Sequence, residues 1–382
     1  MIEHYIRGFE EELREIRHQI HENPELGLQE FKTSALVAEK LRQWGYEVEQ
    51  GLATTGIVAT LKVGDGEKSI GLRADMDALP IYENSGKLWA SKHPGLMHAC
   101  GHDGHTTILL GAARYFAETR RFNGTLRLIF QPAEEMINGG EIMVKEGLFD
   151  HFPCDVIFGM HNMPGLPVGK FYFQPGALMA SMDQFHITVR GCGGHGAIPH
   201  KAIDPVLVAA HITTALQSIV SRNVDPLEAA VITVGSIVAG EAANVIPDSA
   251  EMKISVRSLS RDTRQLLLTR IPALAQAQAA SFGATAEVTH VNGTPVLVND
   301  EEMARFAWQV ACKTFGEDRA EFGIKPLMAV KISLSCWKPN PKAVSCYSVM
   351  AMSGKVPAWC ITRVTTSTMQ VWSRQAATGA HW

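Results

Sequence analysis

Side chains able to ligate a metal stand at the ends of three apolar runs in this chain, and that placement restricts its fold more than any other feature. Leu96-Met-His-Ala-Cys-Gly-His-Asp-Gly-His105 offers a thiol and imidazoles. Leu126-Arg-Leu-Ile-Phe-Gln-Pro-Ala-Glu-Glu135 ends in two carboxylates, and Asp155-Val-Ile-Phe-Gly-Met-His-Asn162 ends close to another imidazole. Short apolar runs of this kind read as buried strands, and polar residues just past them collect at one edge of an open sheet.

The surrounding pattern agrees. Glu10 to Arg17 and Thr33 to Trp44 carry helical apolar spacing, interrupted at His21-Glu-Asn-Pro24. Ile57 to Lys62 and Lys68 to Arg73 read as strands, the second leading into Arg73-Ala-Asp-Met-Asp-Ala-Leu-Pro80, and Thr106 to Glu118 reads as a helix. Strand, ligand loop, helix, strand is the rhythm of an α/β fold with a mainly parallel central sheet. Near residue 180 the texture changes. Phe185 to Arg190, Ala230 to Ile237, Ala250 to Ser258 and Thr285 to Val291 read as strands, with helices over Asp204 to Val220 and Arg261 to Phe282. That order, β-α-β-β-α-β, is the ferredoxin-like unit. The expectation is a catalytic domain of residues 1–180 and 293–382, with a small α+β domain, residues 181–292, inserted in it.

Composition narrows the function classes. A net charge of -4 without a polybasic stretch gives no case for nucleic acid or an anionic membrane surface. No apolar run reaches spanning length, and the first residues lack the uninterrupted apolar segment of a signal peptide. The seven cysteines show no disulfide spacing, which fits a reducing cytoplasm. The expected partner is a small-molecule substrate.

A thiolate, imidazoles and carboxylates can together hold two divalent ions, which activate water and polarise the carbonyl that it attacks. The chemistry also needs a carboxylate free to take the water's proton, and Glu134-Glu135 offers a ligand and a base side by side. Each feature has a plainer reading: Cys100 as a buried thiol, Glu134-Glu135 as a solvated helix start, His161 as a core histidine. A cysteine nucleophile built on Cys100 is a further alternative, although it leaves the paired glutamates without a role.

The order of motifs is recognisable. Arg17-His-Gln-Ile-His-Glu-Asn-Pro-Glu25, Arg73-Ala-Asp-Met-Asp77, His98-Ala-Cys-Gly-His-Asp103, Gln131-Pro-Ala-Glu-Glu135 and Gly159-Met-His-Asn162 are joined by Gly193-Gly-His-Gly196 and Asn244-Val-Ile-Pro247. The chain resembles the aminoacylase and carboxypeptidase group of di-metal hydrolases, in the branch of hippurate hydrolases, N-acyl-amino-acid amidohydrolases and auxin-conjugate hydrolases. The resemblance implies that Cys100, His102, Glu135 and His161 ligate two ions, Zn or Mn with Co as a further option, and that Cys100 bridges them. It implies Glu134 as general base, Asp77 as a residue orienting the metal site, and Asn244 and Arg257 as grips on the substrate carboxylate. It further implies a cytoplasmic homodimer formed through the inserted dimerisation or lid domain, with His195 reaching the other protomer's site to stabilise the oxyanion.

The resemblance stops after Pro326-Leu-Met328. There the family pattern continues Gly-Ser-Glu-Asp-Phe, and near its end it supplies Val-His-Asn-Pro, whose histidine is a further ligand. Residues 329–382 instead contain none of the chain's 39 acidic residues and four of its seven tryptophans. With suitable synonymous codons, Ala329 to Pro339 reads Ser-Glu-Asp-Phe in the displaced frame, and Ala358 to Met369 reads Met-Val-His-Asn-Pro. Loss of one G from ATG GGC AGT gives the codons for Met328-Ala329-Val330. We infer a single-base deletion at that point, which leaves residues 329–382 aberrant and this chain impaired or inactive.

Overall fold

The computed structural model describes residues 2–135, 138–163, 166–167, 169–328 and 345–352. They fall into two compact units: Met1–Gly176 and Val298–Lys325 belong to one, Ala177–Leu297 to the other. The first elements are α1 (Ile2–Arg7), α2 (Glu10–Glu22), α3 (Phe31–Gln43), β1 (Glu47–Leu52), β2 (Gly56–Val63) and β3 (Ser69–Asp75). There follow α4 (His102–Thr119), β4 (Gly124–Gln131), α5 (Gly139–Lys145), α6 (Leu148–His151), β5 (Val156–Met163) and β6 (Phe171–Phe173). Next come β7 (Gly176–Met179), β8 (Ser181–Arg190), β9 (Gly194–His195), α7 (Pro205–Arg222), β10 (Ala230–Val238), β11 (Val245–Ile246), β12 (Ser249–Ser258), α8 (Arg261–Ser281) and β13 (Thr285–Thr294). The chain then runs through β14 (Leu297–Asn299), α9 (Glu301–Phe315), β15 (Ala320–Phe322) and β16 (Ser345–Met352).

The larger sheet has the order β1-β2-β4-β3-β5-β16-β6-β15. It is mixed. Its centre, β4-β3-β5-β16, is parallel, whereas β1-β2-β4 is antiparallel because short turns from β1 to β2 and from β2 to β3 reverse the chain each time. Alternation along each strand sorts side chains to two cores. Ile57, Ala59, Leu61, Leu126, Leu128 and Phe130 pack toward α2, α3, α4 and α9, while Val58, Ile129 and Ile157 pack toward α5 and α6. Burial on both faces explains why these strands read as continuous apolar runs.

The second unit carries an antiparallel sheet of order β10-β12-β8-β13. Its chain order and strand order together are those of a ferredoxin-like unit. α7 and α8 cover one face through Val208, Ile212, Leu216, Leu267, Ile271 and Ala275. A two-stranded ribbon of β9 and β11 stands beside it. The motifs of the displaced frame, at Ala329 and near Ala358, lie outside the described residues. One tail segment, β16, pairs with β5 along its length.

Candidate metal centre

Parallel strands β3, β4 and β5 end at one edge of the sheet, but the run Leu96 to His105 follows no strand: a long loop after β3 carries Cys100 to the start of α4. β3 ends on Asp75, with Asp77 two residues on. β4 ends on Gln131, and a turn through Pro132 and Ala133 brings in Glu134 and Glu135. β5 carries His161 near its end. α4 starts on His102, immediately after Gly101, whose φ of +89° makes the reversal that places Cys100 beside it.

The donor atoms of Cys100, His102 and His161 lie within 4.8 Å of one another, and so do those of His102, Glu134 and Glu135. His102 belongs to both groups. Its Nδ1 lies 2.9 Å from the Asp77 carbonyl oxygen and 3.1 Å from Asp77 Oδ1, so the proton sits on Nδ1 and Nε2 faces the cluster. There Nε2 is 3.8 Å from Glu135 Oε1 and 3.9 Å from Glu134 Oε2. His161 Nδ1–H donates to the Asn162 carbonyl, which leaves Nε2 facing Cys100 Sγ at 3.4 Å. Two such ligands on one tetrahedral zinc ion would lie about 3.5 Å apart.

Charge and burial also fit a cation. Glu134 is only 4% exposed, so the pair is no solvated helix start. Glu135 Oε1 is buried without a hydrogen-bond partner among the described residues. Burial, and then the charge of Glu134, raise the Glu135 pKa above its ordinary value. A buried acceptor pushed toward its neutral form gains from a bound positive ion. Burial alone would raise Asp77 as well. Its hydrogen bond and charge interaction with His102 outweigh that effect, and its carboxyl is held low. Asp77 Oδ2 also accepts the Glu135 backbone N–H at 2.8 Å. One carboxylate thus fixes both an imidazole and the neighbouring ligand loop.

Several residues around the site carried no assigned role in the sequence. Glu30 is buried and accepts the Ala133 N–H at 2.8 Å, clamping the turn before Glu134. Arg73, Asp75, Gln131 and His105 form a buried network that reaches the half-buried Asn162 behind the candidate donors. A signal for the first two existed: charges at alternate positions of an apolar strand point to one face. Asp103, within the Cys/His motif, accepts from Arg17 at 2.9 Å and from His21 at 3.0 Å, so it ties α4 to α2.

The other candidates lie in the second unit. Pairing of β9 with β11 sets Val245 opposite His195, and the Gly196 N–H donates to the Asn244 carbonyl at 2.8 Å. Sequence-distant His195 and Asn244 are therefore neighbours. His195 Nδ1 accepts the Ala197 N–H at 3.1 Å, and the imidazole is exposed. Arg257, on β12, donates from Nη1 to the Met328 carbonyl at 2.8 Å.

A Campylobacter jejuni hippurate hydrolase is 50% identical over 318 residues, 83% of each chain. A Bacillus subtilis N-acetyl-L-cysteine deacetylase is 40% identical over 305 residues, 80% of this chain and 73% of that one. A solved Bacillus subtilis structure, described as a dinuclear metal-binding peptidase, superposes with a TM-score of 0.81 at 29% identity, covering 96% of this chain and 99% of the other. The model of peptidase family M20/M25/M40 matches residues 71–331, and the chain belongs to that family.

Proposed function

We propose that this chain is built to hydrolyse the amide bond of N-acyl amino acids, with Cys100, His102, Glu135 and His161 supplying four of the donors that would hold two divalent ions. The observation that carries the reading is the sharing of His102 between a thiol–imidazole group and a carboxylate group, with Glu134 beside both. When bound, the ions lower the pKa of water and polarise the scissile carbonyl. Glu134 accepts the water's proton and passes it to the leaving amine. Asp77 keeps His102 in the tautomer that presents Nε2. Asn244 and Arg257 hold the substrate carboxylate.

His195 donates to the oxyanion across a homodimer formed through the second unit. Its tautomer supports this role, because an Nδ1 that accepts a hydrogen bond leaves the proton on an exposed Nε2. Edge strand β10, with exposed Val231, Ile237 and Val238, supports pairing with a second copy. We further propose a cytoplasmic location and Zn, Mn or Co as the metal, since the mixed N, O and S donors accept all three. Among the described residues no helix is long and apolar enough to cross a membrane.

The test is a hydrolysis screen of N-acyl amino acids on chelator-stripped protein, with each metal restored in turn. Release of free amino acid that chelation abolishes and one of these metals restores is the expected result. Activity that survives chelation but is lost on alkylating Cys100 would replace this reading with a thiol mechanism. Sedimentation as a monomer would remove the role given to His195.

A further inference from the structure

Asp75, His102 and His105 also bring donor atoms within 4.8 Å of one another. Both Asp75 oxygens are nevertheless engaged. Arg73 Nη1 donates to Oδ2 at 2.7 Å, and Oδ1 lies 2.6 Å from His105 Nδ1. A cation here would sit against a buried guanidinium, so this group is a hydrogen-bonded network and not a further metal site. The network continues in both directions. Arg73 Nε and Nη2 donate to Gln131 Oε1 at 2.9 and 2.7 Å, reaching the end of β4 just before Glu134. His105 Nε2 accepts the Asn162 backbone N–H at 3.1 Å, and Asn162 Oδ1 lies against the same nitrogen. Asn162 in turn receives the His161 Nδ1–H on its carbonyl oxygen.

We propose that Asp75 and His105 form a positioning relay that acts through Asn162 to hold the His161 imidazole with Nε2 facing Cys100. A metal-ligating histidine normally donates its second N–H to a carboxylate or carbonyl that sets its orientation. In this chain the carbonyl belongs to the adjacent residue, Asn162, which the His105 imidazole holds through its backbone N–H beside the pairing of β5 with β16. The carboxylate acts one step removed. The relay spans three elements: β3 supplies Asp75, α4 supplies His105, and β5 supplies Asn162 and His161. The inference rests on the reading of Cys100, His102 and His161 as ligands.

Co(II) is the probe, because its visible spectrum reports coordination geometry and a thiolate ligand gives a charge-transfer band. In the full chain, His105→Leu removes both hydrogen bonds of the relay, whereas His105→Gln retains an amide able to accept from Asn162. The leucine variant is expected to bind Co(II) roughly 10–100-fold more weakly, with a shifted spectrum, and to lose kcat on an N-acyl amino acid while KM changes little. The glutamine variant should recover most of the affinity and the band position. Leucine and wild-type chains with the same affinity and spectrum would overturn the relay, as would equal impairment in both variants. A wild-type chain that binds no Co(II) overturns the relay together with the ligand assignment. A wild-type chain that binds Co(II) but cleaves no N-acyl amino acid overturns the proposed function alone, and affinity and spectrum still decide the relay.

Discussion

Adjacent carboxylates at 134 and 135 cannot both be consumed as ligands if one is to accept a proton. In the proposed function Glu135 takes the ligand role and Glu134 the proton, with Asp77 anchoring the Glu135 backbone N–H. Glu134→Gln should lower turnover by roughly 10²- to 10⁴-fold and leave the metal content unchanged. Glu135→Gln should lower metal content as well, and elemental analysis beside kinetics separates the two. Equal metal loss in both variants would refute the division of roles. Glu30 gives a prediction of another kind. Burial lifts its pKa from the ordinary 4.5 to about 7, against the opposing hydrogen bonds from Thr55 and Ala133. In the window between those values the folded chain keeps a proton that the unfolded chain has released. Glu30 therefore contributes fully below pH 4.5, and that contribution is lost as pH rises through about 7. The loss is on the order of 3 kcal/mol. Glu30→Gln keeps an acceptor for Ala133 and cannot titrate, so its stability relative to the parent should rise across the window. Urea unfolding of both proteins at about pH 5 and about pH 8 measures the difference. A constant difference would mean that Glu30 ionises normally.

At the level of elements, the site depends on how closely α4 approaches the end of β5. Gly101 sets that distance: a Cβ there would come within 2.7 Å of Asn162 Oδ1, on a residue at φ +89°. Gly101→Ala should cost about 1–2 kcal/mol from backbone strain, before any contribution from displaced Asn162. Because Gly101 lies between Cys100 and His102, metal affinity should fall with it. A variant with parental thermal stability and metal content would show that the junction is loose. The sequence was legible where burial is two-sided. β2, β3, β4 and β5 announce themselves as apolar runs, and the four strands and two helices of the second unit follow ordinary periodicity. β1 did not, because Glu47-Val-Glu-Gln-Gly-Leu52 is a largely exposed edge with no apolar alternation. Candidate donors Glu134, Glu135 and His161 were legible as residue types near strand ends, whereas Cys100 and His102 were legible by residue type alone, since they stand at the start of α4 and not after a strand. Glu30, His105 and Asn162 were not, since they act through hydrogen bonds to segments far away in sequence, and no local pattern marks those contacts.

For the molecule as a whole, the decisive region is the tail. The family model stops matching at residue 331, and residues 329–382 lack every acidic side chain. Yet β16 lies beside β5 with Met350 opposite His161, so this part of the chain adjoins the proposed metal centre. With suitable synonymous codons the displaced frame would supply Ser-Glu-Asp-Phe and Val-His-Asn-Pro, the second of which carries the further ligand histidine that the resemblance implies. Two ions would need more donors than Cys100, His102, Glu135 and His161 provide, if each were to be held tightly and still leave a position for water. The chain as given should therefore retain fewer than two ions after dialysis. Insertion of one G after codon 328 should raise the content to two and increase turnover of N-acyl amino acids in the same protein preparation series. Two ions held by the given chain would show that its own tail, or the four donors alone, suffice. Codons 329–369 that fail to encode both motifs in the displaced frame would remove the deletion altogether, and the lack of acidic residues in the tail would then need a cause in protein sequence and not in reading frame.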